Sequence, residues 1–96
     1  MDKNFQGGVA LVIGGSGGLG AATCRALADA GSNVALSYNS KREAADAVVA
    51  DVEQRGAKGY AAQLSLGDPD AAKRFVADVV SRFGFIHSVV YASGPP

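Results

Sequence analysis

The sequence predicts an α/β fold, a parallel sheet doubly wound by helices, and three observations predict it. Four short apolar runs alternate with three stretches of helical period; a glycine stands just past each helical stretch; and the composition is that of thin helices packed closely on a buried sheet. Hydrophobic residues make up 48% of the 96-residue chain, drawn largely from 18 Ala and 11 Val, with 13 Gly and no Trp. Such small side chains let helix and sheet backbones approach one another. At this length the chain forms one domain at most, with a modest core.

The expected strands are 9–13 (VALVI), 34–38 (VALSY), 60–66 (YAAQLSL) and 86–92 (IHSVVYA), each bounded by glycine or polar residues. The expected helices are 18–30, 41–55 and 69–83. In the second, Ala44, Ala45, Val48, Val49 and Val52 make one apolar face, with Glu43, Asp46, Asp51 and Arg55 elsewhere. The third has the clearest start, because Asp68 can cap the first free N–H groups and Pro69 occupies the first helical position, where its missing donor costs nothing. Gly31, Gly56 and Gly84 follow the three helices and suit the turns that end them. Strands alternating with helices imply right-handed parallel β-α-β units. No linker, repeat, low-complexity tract or charge block marks a second domain.

Nine basic and nine acidic residues cancel. With no long-range positive field, nucleic acid and anionic membrane surfaces are not expected partners, and a small molecule is. Cys24 is the single cysteine and can form no intrachain disulfide; the sequence has no leader pattern and no run of about 18 apolar residues, so a cytoplasmic location is expected.

Directly between the first strand and the first helix lies Gly14-Gly15-Ser16-Gly17-Gly18-Leu19-Gly20. Strand, tight glycine turn and helix in that order bring free backbone N–H groups and the positive helix end to one point, a place for a phosphate. Gly14 allows the tight exit from the strand, Gly18 the close approach of a phosphate and Gly20 close packing of helix on strand, each through the lack of a Cβ; Ser16 adds a hydroxyl donor. Five glycines in seven residues would be an entropic liability in a merely flexible loop. This is the pattern of a Rossmann-type dinucleotide-binding turn. Without Gly-Lys-Ser/Thr it is not a nucleoside-triphosphate P-loop.

After the second strand the chain reads Ser37-Tyr38-Asn39-Ser40-Lys41-Arg42. No carboxylate stands there to hold ribose hydroxyls or to repel a 2′-phosphate, and the polar and cationic side chains can receive one, so NADP is favoured over NAD, with NAD as the alternative. Two cations at a helix N-terminus oppose its dipole by about 0.3–1 kcal/mol each, a cost that a bound anion would offset.

From Gly7 onward the chain resembles the short-chain dehydrogenase/reductase family of nicotinamide-dependent oxidoreductases. VALVIGGSGGLG (9–20) is similar to the family's first strand and its Thr-Gly-x-x-x-Gly-x-Gly turn, and ALSYNSKREAADAVVADVEQRG (35–56) to the second strand and helix of NADP-preferring members. SLGDPD (65–70) resembles the Asp-Val-Ser-Asp segment, and VVYASG (89–94) stands where the family has Asn-Asn-Ala-Gly. The resemblance implies a sheet of order 3-2-1-4. It also implies that Gly14, Ser16, Gly17 and Leu19 line the pyrophosphate, that Asn39 and Ser40, beside Tyr38 and Lys41, meet the adenine ribose phosphate, that Ser65 and Leu66 border the adenine, and that Ala92, Ser93 and Gly94 lie at the nicotinamide-side ribose.

The sequence departs from the family pattern at several points. Ile13 replaces the Thr whose hydroxyl braces the turn, Ser65 replaces an Asp that meets the adenine, Gly17 stands where Arg often reaches the 2′-phosphate, and Tyr91 and Ala92 replace two Asn. The family's catalytic Ser, Tyr and Lys lie beyond the fourth strand. The expectation is therefore the N-terminal part, residues 1–96, of a longer NADP(H)-dependent oxidoreductase acting on a carbonyl or alcohol and assembling as a homo-oligomer, the 96 residues alone being inactive. The alternative is a non-catalytic nucleotide-binding or self-associating protein.

Tyr38, Tyr60 and Tyr91 are not catalytic candidates, since Arg42, Leu64 and Pro95 rather than Lys follow four residues later; strand packing is expected for all three. His87, alone and without nearby metal-ligating residues, is read as structural, and Cys24 as a small buried hydrophobe. Strand 4, apolar through Val89-Val90-Tyr91-Ala92, is expected to be an open edge that pairs with another chain.

Overall fold

The first strand, β1 (Val9–Ile13), is flanked on one side by β2 (Val34–Tyr38) and then β3 (Gly59–Gln63), and on the other by β4 (Ile86–Tyr91). In this computed structural model, which describes residues 7–65 and 67–92, the four strands are all parallel in the order β3-β2-β1-β4. Three helices connect them: α1 (Gly18–Asp29), α2 (Arg42–Gln54) and α3 (Pro69–Phe83).

Val9, Ala10, Leu11 and Val12 are all buried, as are Val34, Ala35 and Leu36, because a parallel strand covered on both faces has no polar side. Alternation along the strands sends Val12, Val34 and Leu36 to one face, against Ala21, Cys24 and Ala28 of α1 and Ala45, Val48 and Val52 of α2. Val9, Leu11 and Ala35 go to the other, against Phe75 and Val79 of α3. The direction reverses after β3, where the connection through α3 crosses to the far side of β1. Phosphate-binding clefts in open sheets form at such a reversal, at the carboxyl ends of the strands.

The end signals act as expected. Asp68 Oδ1 accepts the N–H groups of Asp70 and Ala71, at 3.0 and 3.2 Å. Gly31, Gly56 and Gly84 have φ of +98°, +87° and +94°. Loss of the cap in Asp68→Ala is expected to cost about 1 kcal/mol, read as a lower midpoint in urea unfolding.

The third strand ends sooner than the expected 60–66. Leu64 N–H still bonds Tyr38 O at 2.8 Å, after which the chain turns and Asp68 N–H bonds Ser65 O. β4 carries an irregularity: Val9 faces Ile86 but Ala10 faces Ser88, so His87 is the extra residue. Its ring lies 3.0 Å from Ser32 Oγ and 2.9 Å from Ser88 Oγ. Since Ser32 donates to Asn33 O, its oxygen receives from Nε2–H, and the histidine has a structural place at the amino ends of the strands. Asn33 ties the same end, donating to Gly8 O and accepting Lys58 N–H.

Two of the three tyrosines pack as expected. Tyr38 lies against the α1/α2 core, and Tyr60 against the α3 core, where its hydroxyl donates to Asp78 and Arg82 stacks over its ring at 4.1 Å. The bond to Tyr60, with Arg82 beside it, holds the Asp78 carboxyl below its usual range, and the same bond pushes the Tyr60 hydroxyl up. Tyr91 is the exception. It is 61% exposed on the edge strand together with Val89, at 64%.

Candidate functional site

Ile13 ends β1, and a positive φ of +83° at Gly14 turns the chain away from the sheet. From there Gly15, Ser16 and Gly17 lead into α1. The helix has Gly17 as its N-cap, no side-chain cap and no acidic residue in its first turn. Ala21 N–H is the first to find a helical partner, Gly17 O at 2.7 Å. The amides of Gly18, Leu19 and Gly20 precede it, so they lack intrahelical acceptors and carry the partial positive charge of the helix end.

Glycine is required at Gly14 by its positive φ, and at Gly20 and Gly15 by close approach. A Cβ on Gly20 would lie 2.2 Å from Gly14 O and 2.7 Å from Gly15 Cα, so the helix packs on the turn itself rather than on the strand as expected. A Cβ on Gly15 would lie 2.6 Å from Leu36 Cβ and 3.1 Å from Cys24 Sγ, a second close approach that the sequence reading missed. Around Gly17 and Gly18, by contrast, nothing lies within 4 Å. Those two present bare backbone to open space.

A cleft of about 210 Å³ opens at this point, lined by Gly14, Ser16, Gly17, Ser37, Tyr38, Asn39, Leu64 and Ala92. Of the expected site residues, Gly14, Ser16, Gly17, Tyr38, Asn39 and Ala92 thus meet in one place. Leu19, on the first turn of α1, is 73% exposed, and Ser40 and Lys41 line a separate shallow hollow with Arg42, Glu43 and Ala44. Ser65 is exposed and absent from the cleft lining, where Leu64 stands instead, because β3 ends before Ser65 can be carried to the wall. Leu66, Ser93 and Gly94 lie outside the described residues. Ala92 is held beside the turn by its N–H bond to Ile13 O, at 2.8 Å.

Ser37 is the residue that sequence reasoning missed. It is buried, its Oγ accepts Gly14 N–H at 3.0 Å and its carbonyl accepts Gly15 N–H at 2.9 Å. The Gly14 amide is therefore committed to β2 and cannot be one that meets a phosphate, although Gly14 does line the cleft. A polar residue inside an otherwise apolar buried strand was the available signal.

Charge near the second hollow is divided unequally. Arg42 lies 3.8 Å from Asp46 in an exposed ion pair, which offsets part of its charge without any bound anion. Lys41 has no ion pair among the described residues. The first cleft thus joins bare glycine backbone, the polar side chains of Ser16, Ser37 and Asn39, and the apolar Leu64 and Ala92. Its volume is below the roughly 300–1,000 Å³ of enclosed small-molecule sites, so it would take only part of such a ligand.

The described residues contain no group of three or more His, Cys, Asp or Glu placed to hold a metal, and no helix long and apolar enough to cross a membrane. Cys24 is fully buried and burial pushes its thiol up to about 11, against the opposing pull of Arg25. A thiol so shifted is an inert packing group at neutral pH.

Comparison with known proteins agrees with this geometry. The chain is 39% identical over 93 residues to versicolorin reductase 1 of Aspergillus parasiticus, a match covering 97% of this chain and 36% of that protein. It is 38% identical over 85 residues to a 3-oxoacyl-[acyl-carrier-protein] reductase of Staphylococcus aureus, covering 88% of this chain and 35% of that one. The fold superposes with a TM-score of 0.90 on a short chain dehydrogenase from Burkholderia cenocepacia in complex with NADP, at 40% identity over 97% of this chain and 38% of that chain. The chain thus spans little more than a third of the length of these relatives. The short chain dehydrogenase family model matches residues 8–95, from the start of β1 through the glycine turn and all four strands. With that match added to the parallel 3-2-1-4 sheet, the chain belongs to the short chain dehydrogenase family.

Proposed function

We propose that residues 1–96 are the N-terminal dinucleotide-binding part of an oxidoreductase that uses NADP(H) and acts on a carbonyl or alcohol substrate. The observation that carries this reading is the uncapped N-terminus of α1 behind the bare backbone of Gly17 and Gly18, opening on a cleft shared with the end of β2. When bound there, the nicotinamide supplies a hydride donor or acceptor for a carbonyl or alcohol carbon. The chain's own contribution is to bind and orient. Amides of the first turn of α1, with the Ser16 hydroxyl, receive the pyrophosphate; Asn39, Ser40 and Lys41 receive the adenine-ribose phosphate; Leu64 borders the adenine; and Ala92 flanks the nicotinamide end.

The choice of NADP over NAD rests on the absence of a carboxylate from 37–42 and on the Lys41 ammonium, which has no ion pair among the described residues. Two relatives are reductases by name and one structural neighbour holds NADP, which supports the same reading. Calorimetric titration of the full-length protein tests it: NADP⁺ is expected to bind at least about tenfold more tightly than NAD⁺, a difference of about 1.4 kcal/mol. Equal affinity would remove the preference, and no binding of either would remove the function. Residues 1–96 alone are expected to bind without turnover.

A second reading, association between copies, is favoured by one observation. Val89 and Tyr91 are exposed on the edge strand, on the same side as the exposed Val76 and Val80 of α3. In this reading an apolar edge pairs with another chain, and a monomer in sedimentation of residues 1–96 would exclude it.

A further inference from the structure

We propose that Ser37 is a positioning residue for the phosphate-binding turn: by accepting the amides of both Gly14 and Gly15, it fixes which backbone donors the turn presents to a dinucleotide. This rests on the proposed dinucleotide site. The geometry is specific to one residue. Gly14 N–H reaches Ser37 Oγ at 3.0 Å and Gly15 N–H reaches Ser37 O at 2.9 Å, so one β2 residue takes two successive turn amides through its side chain and its main chain. Ser37 is only 2% exposed, and Ile13, at the base of the turn, has no polar atom in its side chain.

The consequence is directional. With the first two amides pointing at β2, the turn rises over Leu36, where Gly15 already sits too close for any Cβ. The amides of Ser16 and Gly17, which have no acceptor among the described residues, come next, and the donors at the head of α1 follow them. Gly20 packs on Gly14 O from the other side, so the turn is held between β2 and the helix. Removing the Ser37 hydroxyl leaves Gly14 N–H without its acceptor while the Gly15 bond to the main chain remains. The turn loses one of its two anchors, and the donors at 18–20 lose their fixed direction without any contact to the ligand being deleted.

The test uses the full-length protein with Ser37→Ala and the hydroxyl-retaining Ser37→Thr, titrated with NADP⁺ and with 2′-AMP, which lacks the pyrophosphate. Ser37→Ala is expected to bind NADP⁺ about five- to tenfold more weakly, with 2′-AMP affinity changed less than about twofold, and Ser37→Thr to restore NADP⁺ binding. Equal weakening toward both ligands, or unchanged NADP⁺ affinity in Ser37→Ala beside a binding wild type, would overturn this role alone. Failure of the wild type to bind NADP⁺ would overturn the proposed function and this role with it. Amide hydrogen exchange of the ligand-free wild type provides a readout independent of both nucleotide and substitution: the Gly14 amide is expected to exchange at least about tenfold more slowly than that of Gly18, and equal rates would overturn the clasp.

Discussion

Replacing Gly20 by alanine is expected to lower stability by about 3 kcal/mol, the upper end of ordinary overpacking costs, and to abolish NADP⁺ binding. The added Cβ would stand 2.2 Å from Gly14 O and 2.7 Å from Gly15 Cα. Both are backbone atoms. No side chain can swing aside, so either α1 lifts from the turn or the turn shifts off β2, and the second option breaks the bonds to Ser37. Thermal unfolding should show a midpoint lower by more than about 10 °C for a domain of this size. Gly18→Ala is the matched control, because a Cβ there meets nothing within 4 Å. It is expected to leave the midpoint unchanged or slightly raised, while the methyl group occupies the space a phosphate needs. Loss of binding with the fold intact at position 18, and loss of both at position 20, separates a ligand-facing glycine from a packing glycine.

Asn39→Asp is expected to reverse the cofactor preference. Asn39 is exposed at the end of β2 and lines the cleft, so a carboxylate there adds negative charge beside the position assigned to the 2′-phosphate. Two unit charges about 4 Å apart repel by about 1 kcal/mol in water and about 4 kcal/mol at the effective dielectric of a protein surface. The NADP⁺ dissociation constant should therefore rise by about tenfold to a hundredfold, while NAD⁺ binds more tightly through its free ribose hydroxyls. Stability should stay within about 0.5 kcal/mol, since the side chain is exposed. The loop itself is kept in place by its main chain: Gln63 Nε2 donates to Asn39 O at 2.8 Å, a bond the substitution does not touch. Dissociation constants for both cofactors, measured on one preparation, decide the outcome.

Much of this architecture was legible because its signals are local. Asp68-Pro69 announces α3, Gly31, Gly56 and Gly84 stop the helices, and each helix begins and ends within a residue of its expected bounds. The glycine turn was legible for the same reason, as strand, turn and helix are contiguous. What escaped depends on contacts between distant segments. Nothing local in VALSY shows that Ser37 will lie under Gly14, 23 residues earlier, or that Gly15 will sit on Leu36. The family resemblance implies Ser65 at the cleft, but apolar runs locate a strand better than its last residue, and β3 stops at Gln63. For Tyr91 two expectations compete, strand packing and an open edge at strand 4; the place of β4 at the end of the sheet order agrees with the second and leaves the ring exposed.

The central claim is that phosphate is received by the bare amides at the head of α1. Titration of NADP⁺ into the ¹⁵N-labelled full-length protein, followed through amide resonances, tests it most directly. The account predicts that the amides of Gly18, Leu19 and Gly20 shift most and gain protection from exchange, while that of Gly14, already bonded to Ser37, moves little. Shifts confined to other surfaces, or none at saturating NADP⁺, would contradict it.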